Sequence, residues 1–235
     1  MLLNCEISYF IGVLHSDGCI YNFYDKKDKF IRHRFSIGVE EKSLPMVEKV
    51  QKIMKEQFKR NVKILSRGKN EYGNNCFYLQ TGINRLLPRF SLLEINKNFL
   101  PKTIMHNKKL FCAYLAGLID GDGTICIKRP KYPQCNIRIA SEKNSKYLKI
   151  LIEKFLNCKC WVNKVIVDSL MGKPLRKVHG SCFNYNFYLS SKNLKDFKDN
   201  VYPFIQIKHK KNIIEKFFRM KELSYGPIKK LFLSS

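Results

Sequence analysis

The sequence predicts an α+β protein of two pseudo-symmetric αββαββα halves, each with a four-stranded, mostly antiparallel sheet. Three observations predict it. The chain repeats itself: YFIGVLHSDGCIYNF at 9–23 and YLAGLIDGDGTICIK at 114–128 share a Tyr, a Gly before an apolar pair, and an Asp-Gly that opens a strand-like alternation. Asp17 and Asp122 correspond, 105 residues apart. The segments downstream of the two copies also correspond, with Phe35-Ser36-Ile37 leading to Glu41-Lys42-Ser43 and Asn136-Ile137-Arg138-Ile139 leading to Glu142-Lys143-Asn144. Finally, 235 residues with 45% apolar and 13% aromatic content suffice for one or two packed domains and exclude general disorder.

In the first half, a helix is expected over 5–16, stopped at Asp17-Gly18 where Gly permits the exit turn. Strands come next near 19–24 and 30–39, the second alternating Arg32, Arg34 and Ser36 against Ile31, Phe35 and Ile37. Ser43 can cap a helix over 44–58 that turns Leu44, Val47, Val50 and Met54 to one side, with Pro45 tolerated in its first turn. Strands near 61–66 and 75–80 are joined by the turn-rich RGKNEYGNN, and a short helix covers 82–90. This first half spans 1–93, a linker 94–108 and the second half 109–235. The second half repeats the order: a helix over 109–121, strands near 124–129 and 134–140, and a helix over 144–156 with Leu148, Leu151, Ile152 and Phe155 inward. Strands near 160–168 and 182–190 and helices near 191–200 and 207–224 complete it. Along its last strand Phe183, Tyr185, Phe187 and Leu189 face one way, and Asn184, Asn186 and Tyr188 the other.

LAGLIDGDG at 115–123 resembles the LAGLIDADG motif at eight of nine positions, and FIGVLHSDG at 10–18 is a weaker second copy. Over nearly its whole length the chain resembles the monomeric, two-motif LAGLIDADG homing endonucleases. That resemblance implies paired motif helices at a central interface, two sheets forming a DNA-binding saddle, and hydrolysis of both strands at a long pseudo-palindromic target. It implies that the motif's eighth residue, Asp17 or Asp122, binds the metal, with the carbonyls of Ser16 and Gly121 as further ligands. The sixth position, usually an Asp with a structural role, is Asp120 in one copy and His15 in the other.

The residues support the same chemistry. Gly12, Ala116 and Gly117 let two apolar helices approach backbone to backbone, and side-by-side pairing brings Asp17 and Asp122 together. Two carboxylates repel without a cation, and hard oxygen ligands suit Mg²⁺ or Mn²⁺. Ca²⁺ is expected to bind without supporting cleavage. Phosphodiester hydrolysis needs such a site to activate water and to stabilise the leaving oxygen. For an isolated Asp-Gly the alternative is a mere helix stop.

The polar strand faces carry side chains that read bases: Arg32, Arg34, Ser36 and Gln80 in the first half, and Lys128, Gln134, Asn136, Arg138, Asn184 and Asn186 in the second. Any one of them is also compatible with a plain solvated strand face. Lys26, Lys27, Lys29, Lys128 and Lys131 offer a phosphate grip. PFIQIKHKK at 203–211 resembles the family segment that carries a basic residue to the scissile phosphate, which singles out Lys208 with Lys210 beside it; in the first half, LPRFSLLE at 87–94 offers Leu93 there. Glu41, and Ser141 or Glu142, fall where the family places a polar residue that organises water.

Charge agrees: 44 Lys and Arg against 19 Asp and Glu leave a net +25, suited to a polyanion. The basic residues are dispersed through strands and turns rather than along one amphipathic helix, which disfavours a membrane surface. No apolar run reaches the ~18 residues of a membrane span. MLLNCEISYF lacks a basic n-region and a cleavage site, so no secretory leader is expected. Nine Cys without zinc-finger spacing read as free thiols in a reducing, intracellular compartment. Two motifs in one chain predict a monomer. An intein is disfavoured, since neither a leading nucleophile nor a terminal His-Asn is present. The alternatives are an intron RNA maturase, which would add intron RNA as a partner to an intron-encoded protein, and a non-cleaving DNA-binding protein with the same fold.

Overall fold

The structure is a computed structural model that describes residues 2–96, 98–129, 132–141, 146–171 and 176–232. Lys131, Glu142, Lys143 and Asn144 lie outside the described residues.

The first half runs α1 (Cys5–His15), β1 (Gly18–Asp25), β2 (Phe30–Glu40), α2 (Leu44–Phe58), β3 (Ile64–Lys69), β4 (Asn75–Gly82) and α3 (Leu87–Leu92). After α4 (Lys102–His106) and α5 (Lys108–Asp122), the second half runs β5 (Gly123–Lys128), β6 (Gln134–Ser141), α6 (Lys146–Leu156), β7 (Cys160–Met171), β8 (Arg176–Leu189), α7 (Leu194–Asn200) and α8 (Lys208–Phe232). The strands form two four-stranded sheets, β1-β2-β4-β3 and β5-β6-β8-β7. Every pairing is antiparallel.

The chain forms two compact units, Met1–Asp122 with Asn200–Lys208 and Gly123–Asp199 with His209–Ser235. The repeat divides the chain at the linker, whereas packing groups α5 with α1, because the two motif helices lie directly against each other.

Local chemistry sets the element ends. The Asn4 side chain accepts the Ile7 N–H at 2.9 Å and caps α1. Ser43 occupies the N-cap position of α2 but makes no side-chain cap bond, since the 3-10 turn Glu41–Ser43 already leads into the helix and Pro45 lacks an N–H. α2 buries Met46, Val47, Val50, Ile53, Met54 and Phe58. Phe10 sits edge-on to Phe35 and Phe58, with ring centroids 5.3 and 5.8 Å apart, and Phe58 packs on Phe90 at 5.3 Å. In the second unit the core takes Ile125, Ile137, Ile139, Tyr185, Phe187 and Leu189 from the sheet and Leu148, Leu151, Ile152 and Phe155 from α6.

β7 and β8 exceed the predicted 160–168 and 182–190. Their ladder continues past Ser141 of β6, from Val165 opposite Cys182 to Met171 opposite Arg176. Pairing of Gly180 with Val167 and of Ser181 with Ile166 carries β8 back beyond its expected start. The expected linker holds α4, started by Pro101.

All nine cysteines are free. Burial pushes the Cys135 and Cys160 thiols up to about 12 and Cys158 to about 11, so these three stay protonated and inert at neutral pH. No described helix is long and apolar enough to cross a membrane.

Candidate functional site

α1 and α5 run parallel, with glycines at the crossing. A Cβ on Gly12 would lie 2.1 Å from the Tyr114 carbonyl oxygen, and one on Gly117 would lie 2.3 Å from that of Tyr9. The reciprocity is that of a local two-fold, and only glycine fits at either position. One turn further on, Ser16 occupies the space beside Gly121, and the Asp17 carboxylate lies 3.2 Å from where a Gly121 Cβ would be. Asp17 is thereby brought to the residue that precedes Asp122. The Ser16 hydroxyl donates back to the Gly12 and Val13 carbonyls at 3.1 and 3.2 Å, which fixes its side chain within α1.

Two helix C-termini meet here, each with negative dipole ends and terminal carbonyls beyond the reach of intrahelical N–H donors. With Asp17 and Asp122 they form an oxygen-rich, negative site. Among the described residues, no group of three or more His, Cys, Asp or Glu could hold a metal. The donor set thus offers two carboxylates and backbone carbonyls. It fits a hard divalent cation that keeps several waters and takes the rest of its shell from phosphate oxygens.

Behind the acids, the two sixth motif positions form matching locks of opposite polarity. Asp120 is 1% exposed and accepts from the Tyr9 hydroxyl at 2.7 Å, the Gln206 N–H at 2.7 Å and the Ile207 N–H at 3.3 Å. It holds the segment that enters α8, whose first residue, Lys208, is exposed. In the other copy, His15 contacts the Tyr114 hydroxyl at 3.0 Å through Nδ1 and the Asn96 carbonyl at 2.7 Å through Nε2. A carbonyl only accepts, so Nε2 carries the proton there. The segment held by His15 is therefore the one at Asn96, three residues beyond Leu93, and Leu93 is buried.

Burial and the nearby Asp120 charge push the Tyr9 hydroxyl well above its ordinary range. A group whose folded value is raised gives stability below the unfolded value, about 10 for Tyr, and loses it as pH rises through the folded one. Denaturant unfolding between pH 9 and 11.5 (roughly the window around that value) is expected to show stability falling with pH. Tyr9→Phe should flatten that fall, and an unchanged slope would remove Tyr9 as a contributor.

On the first sheet, the face away from the helices presents Tyr21 and Phe23 from β1, Arg32, Arg34 and Ser36 from β2 and Gln80 from β4. The Arg34 guanidinium stacks 4.3 Å from the Phe23 centroid, and the Gln80 amide donates to the Tyr21 hydroxyl. Arg32 is tied back by Asp25 at 2.5 Å and by Asp28, so it enters the free face already paired. On the second sheet, the corresponding face carries Thr124, Cys126 and Lys128, then Gln134, Asn136 and Arg138, then Asn184, Asn186 and Tyr188, then Trp161 and Asn163. Lys128 and Arg138 are exposed, while Gln134, Asn184 and Asn186 are half-buried. Trp161, 42% exposed, stacks edge-on to Tyr188 at 5.5 Å.

Two expectations need correction. Asn136 lies on the polar face but is only 7% exposed, because Cys126 and Tyr188 flank it on the central strand. Its Oδ1 has no hydrogen-bond partner among the described residues. Lys210 is 8% exposed and does not stand beside Lys208 on the surface. Two residues apart on a helix point about 200° from one another, and that phase was readable in the sequence. Sequence reasoning missed the Tyr9 and Tyr114 locks, although the repeated Tyr was the signal for both. It also missed the aromatic residues Tyr21, Phe23 and Trp161 on the free faces.

Paired parallel motif helices that end in acids, each leading straight into a four-stranded antiparallel sheet, define the LAGLIDADG homing-endonuclease fold. Solved structures agree. The chain superposes on the I-LtrWI LAGLIDADG homing endonuclease bound to target DNA with a TM-score of 0.54 at 15% identity, covering 94% of this chain and 91% of that one. I-DmoI in complex with DNA and Ca gives 0.54 at 15%, covering 90% and 97%. I-WcaI bound to its DNA recognition sequence gives 0.52 at 17%, covering 90% and 88%. I-DmoI is also known in complex with DNA and Mn. At these identities the likeness is one of fold. No family model and no curated protein matches the chain in sequence.

Proposed function

We propose that this chain is a site-specific endonuclease that hydrolyses both strands of double-stranded DNA with Mg²⁺ or Mn²⁺ and acts as a monomer. The observation that carries the reading is the convergence of Asp17 and Asp122 at the C-termini of two parallel helices, packed through Gly12 and Gly117. A carboxylate pair at that point, in a chain of net charge +25, has an evident use if the opposing charge is a cation held against a phosphate.

In this reading Asp17 and Asp122 hold the cation, with the Ser16 and Gly121 carbonyls as neutral ligands. When bound, the cation would supply a polarised water and neutralise charge on the departing 3′ oxygen. Lys208 places an ammonium where the scissile phosphate gains charge in the transition state. Arg34, Ser36, Gln80, Lys128, Gln134, Arg138, Asn184 and Asn186 supply groove contacts, and differences between the two faces imply unlike half-sites. Two motif helices in one chain leave no need for a second copy. Homing endonucleases such as I-LtrWI and I-WcaI are bound to target DNA in their own structures, which supports the choice of substrate.

The test is to incubate the protein with a randomised duplex library and Mg²⁺ and to sequence the cut ends. A single long consensus, cut on both strands, is expected. Uncut libraries that still enrich a bound sequence would instead leave a DNA-binding protein.

A further inference from the structure

We infer that the first unit carries a phosphate-binding notch beyond the end of its sheet, formed by Arg60 and Arg85 together with Arg32, which takes a backbone phosphate of a nucleic-acid strand. The inference rests on the DNA reading above and adds an anchor outside the strand faces.

The notch arises from topology. β3 begins at Ile64, opposite Leu79, so among the described residues no strand pairs with residues 80–82 of β4 on their outer edge. A cavity of about 450 Å³ opens there, with Arg32, Arg60, Gly82 and Arg85 in its wall. Arg60 reaches it from the turn after α2, where Lys59 takes a left-handed conformation at φ 55°. Arg85 reaches it from the 3-10 turn Asn84–Leu86.

Three guanidinium groups line the cavity, and no carboxylate does. Asp25 and Asp28 compensate Arg32 alone. Arg60 donates through Nε to the Thr81 hydroxyl at 3.1 Å, which fixes the plane of the group and leaves both terminal nitrogens for another acceptor. Arg85 is exposed and has no described partner. Guanidinium forks suit phosphate oxygens, which they can bind in bidentate fashion.

The fold does not require these cations. In the second unit the residue after the left-handed Asn157 is Cys158, a neutral thiol beside Asn193. The same turn is made there without Arg. The cavity also shares Arg32 with β2, whose next residues on that side are Arg34 and Ser36. A strand lying along that face therefore runs on into the notch, which favours a polynucleotide over a free polyphosphate.

The test compares the full-length protein with Arg85→Gln and with Arg60→Gln/Arg85→Gln, measuring affinity for a fixed duplex across a salt series, and thermal stabilisation by inorganic tripolyphosphate. Each lost phosphate contact should flatten the slope of log K against log salt by about 0.9. Arg85→Gln is expected to show about one such step and the double variant up to about two, with affinity reduced alike on all duplexes and the cut position unchanged. Arg85→Gln removes no described bond, so it stays informative if Arg60→Gln disturbs Thr81. Wild-type slope and affinity in both variants would overturn the notch and leave the DNA reading standing. If the wild type binds no duplex, the DNA reading fails instead. In that case, tripolyphosphate stabilisation that is lost in the variants would support a phosphate site for a small ligand, and no stabilisation would overturn it.

Discussion

Asp122→Asn is expected to abolish cleavage while DNA binding survives. The substitution keeps shape and hydrogen-bonding capacity but removes one of two charges at the meeting point of α1 and α5. If the site stabilises both the attacking and the leaving oxygen, the loss falls on the transition state rather than on bound DNA. A fall of at least two orders of magnitude is expected, equivalent to roughly 2.7 kcal/mol. Asp17→Asn should behave alike, because its carboxylate already reaches Gly121. Binding can be tracked in the same variants through Trp161, the one tryptophan of the chain, which stands on a free sheet face. Each single variant should impair cutting of both strands if a cation is shared. Undiminished cleavage by both variants in Mg²⁺ would sink the proposed chemistry.

Gly117→Ala is expected to be strongly destabilising for so small a substitution. Its new Cβ would sit 2.3 Å from the Tyr9 carbonyl oxygen and 2.9 Å from the Val13 nitrogen, both backbone atoms that no rotamer can move. Alanine recovers about 1 kcal/mol of helix propensity, but overpacking against backbone costs about 3 kcal/mol or more, so the clash wins. At about 2–4 °C per kcal/mol for a chain of this size, a melting temperature lower by roughly 4–10 °C should result. Gly12→Ala should match it, since Gly12 faces Tyr114 in the same way. Gly82→Ala is the control, having nothing within 4 Å of its Cβ, and should change little. Equal melting temperatures for Gly117→Ala and Gly82→Ala would contradict the close crossing of the helices.

The repeat made the two motif helices, both sheets and the approach of Asp17 to the end of α5 legible, because those features arise from local period and from doubling. Alternation placed Arg34, Gln80 and Arg138 on the correct faces for the same reason. What stayed hidden depends on contacts distant in sequence. Nothing near Asp120 announces that it will hold Gln206, and nothing near Arg60 reveals that β3 stops short and opens an edge beside it. Asn136 has the right parity for the polar face, but its burial is set by the neighbouring strands. Lys210 is different: helical phase alone separates it from Lys208, so its burial was within reach of the sequence.

The two locks behind the acids bear on how such a chain can diverge after its halves are joined. Each lock combines a sixth-position residue, a chain segment that follows the sheet of its own half and a tyrosine hydroxyl from the other motif helix. Each hydroxyl donates, Tyr9 to the Asp120 carboxylate and Tyr114 to the unprotonated Nδ1 of His15, so the same group serves an acid in one lock and an imidazole in the other without changing itself. One half could therefore reverse the polarity of its lock, with Asp120 gripping N–H groups and His15 gripping a carbonyl, while the partner helix kept its tyrosine. Tyr9 and Tyr114 act as a tolerant coupling, and grafted halves that retain this tyrosine and the crossing glycine meet the same contact requirements whichever residue fills the sixth position.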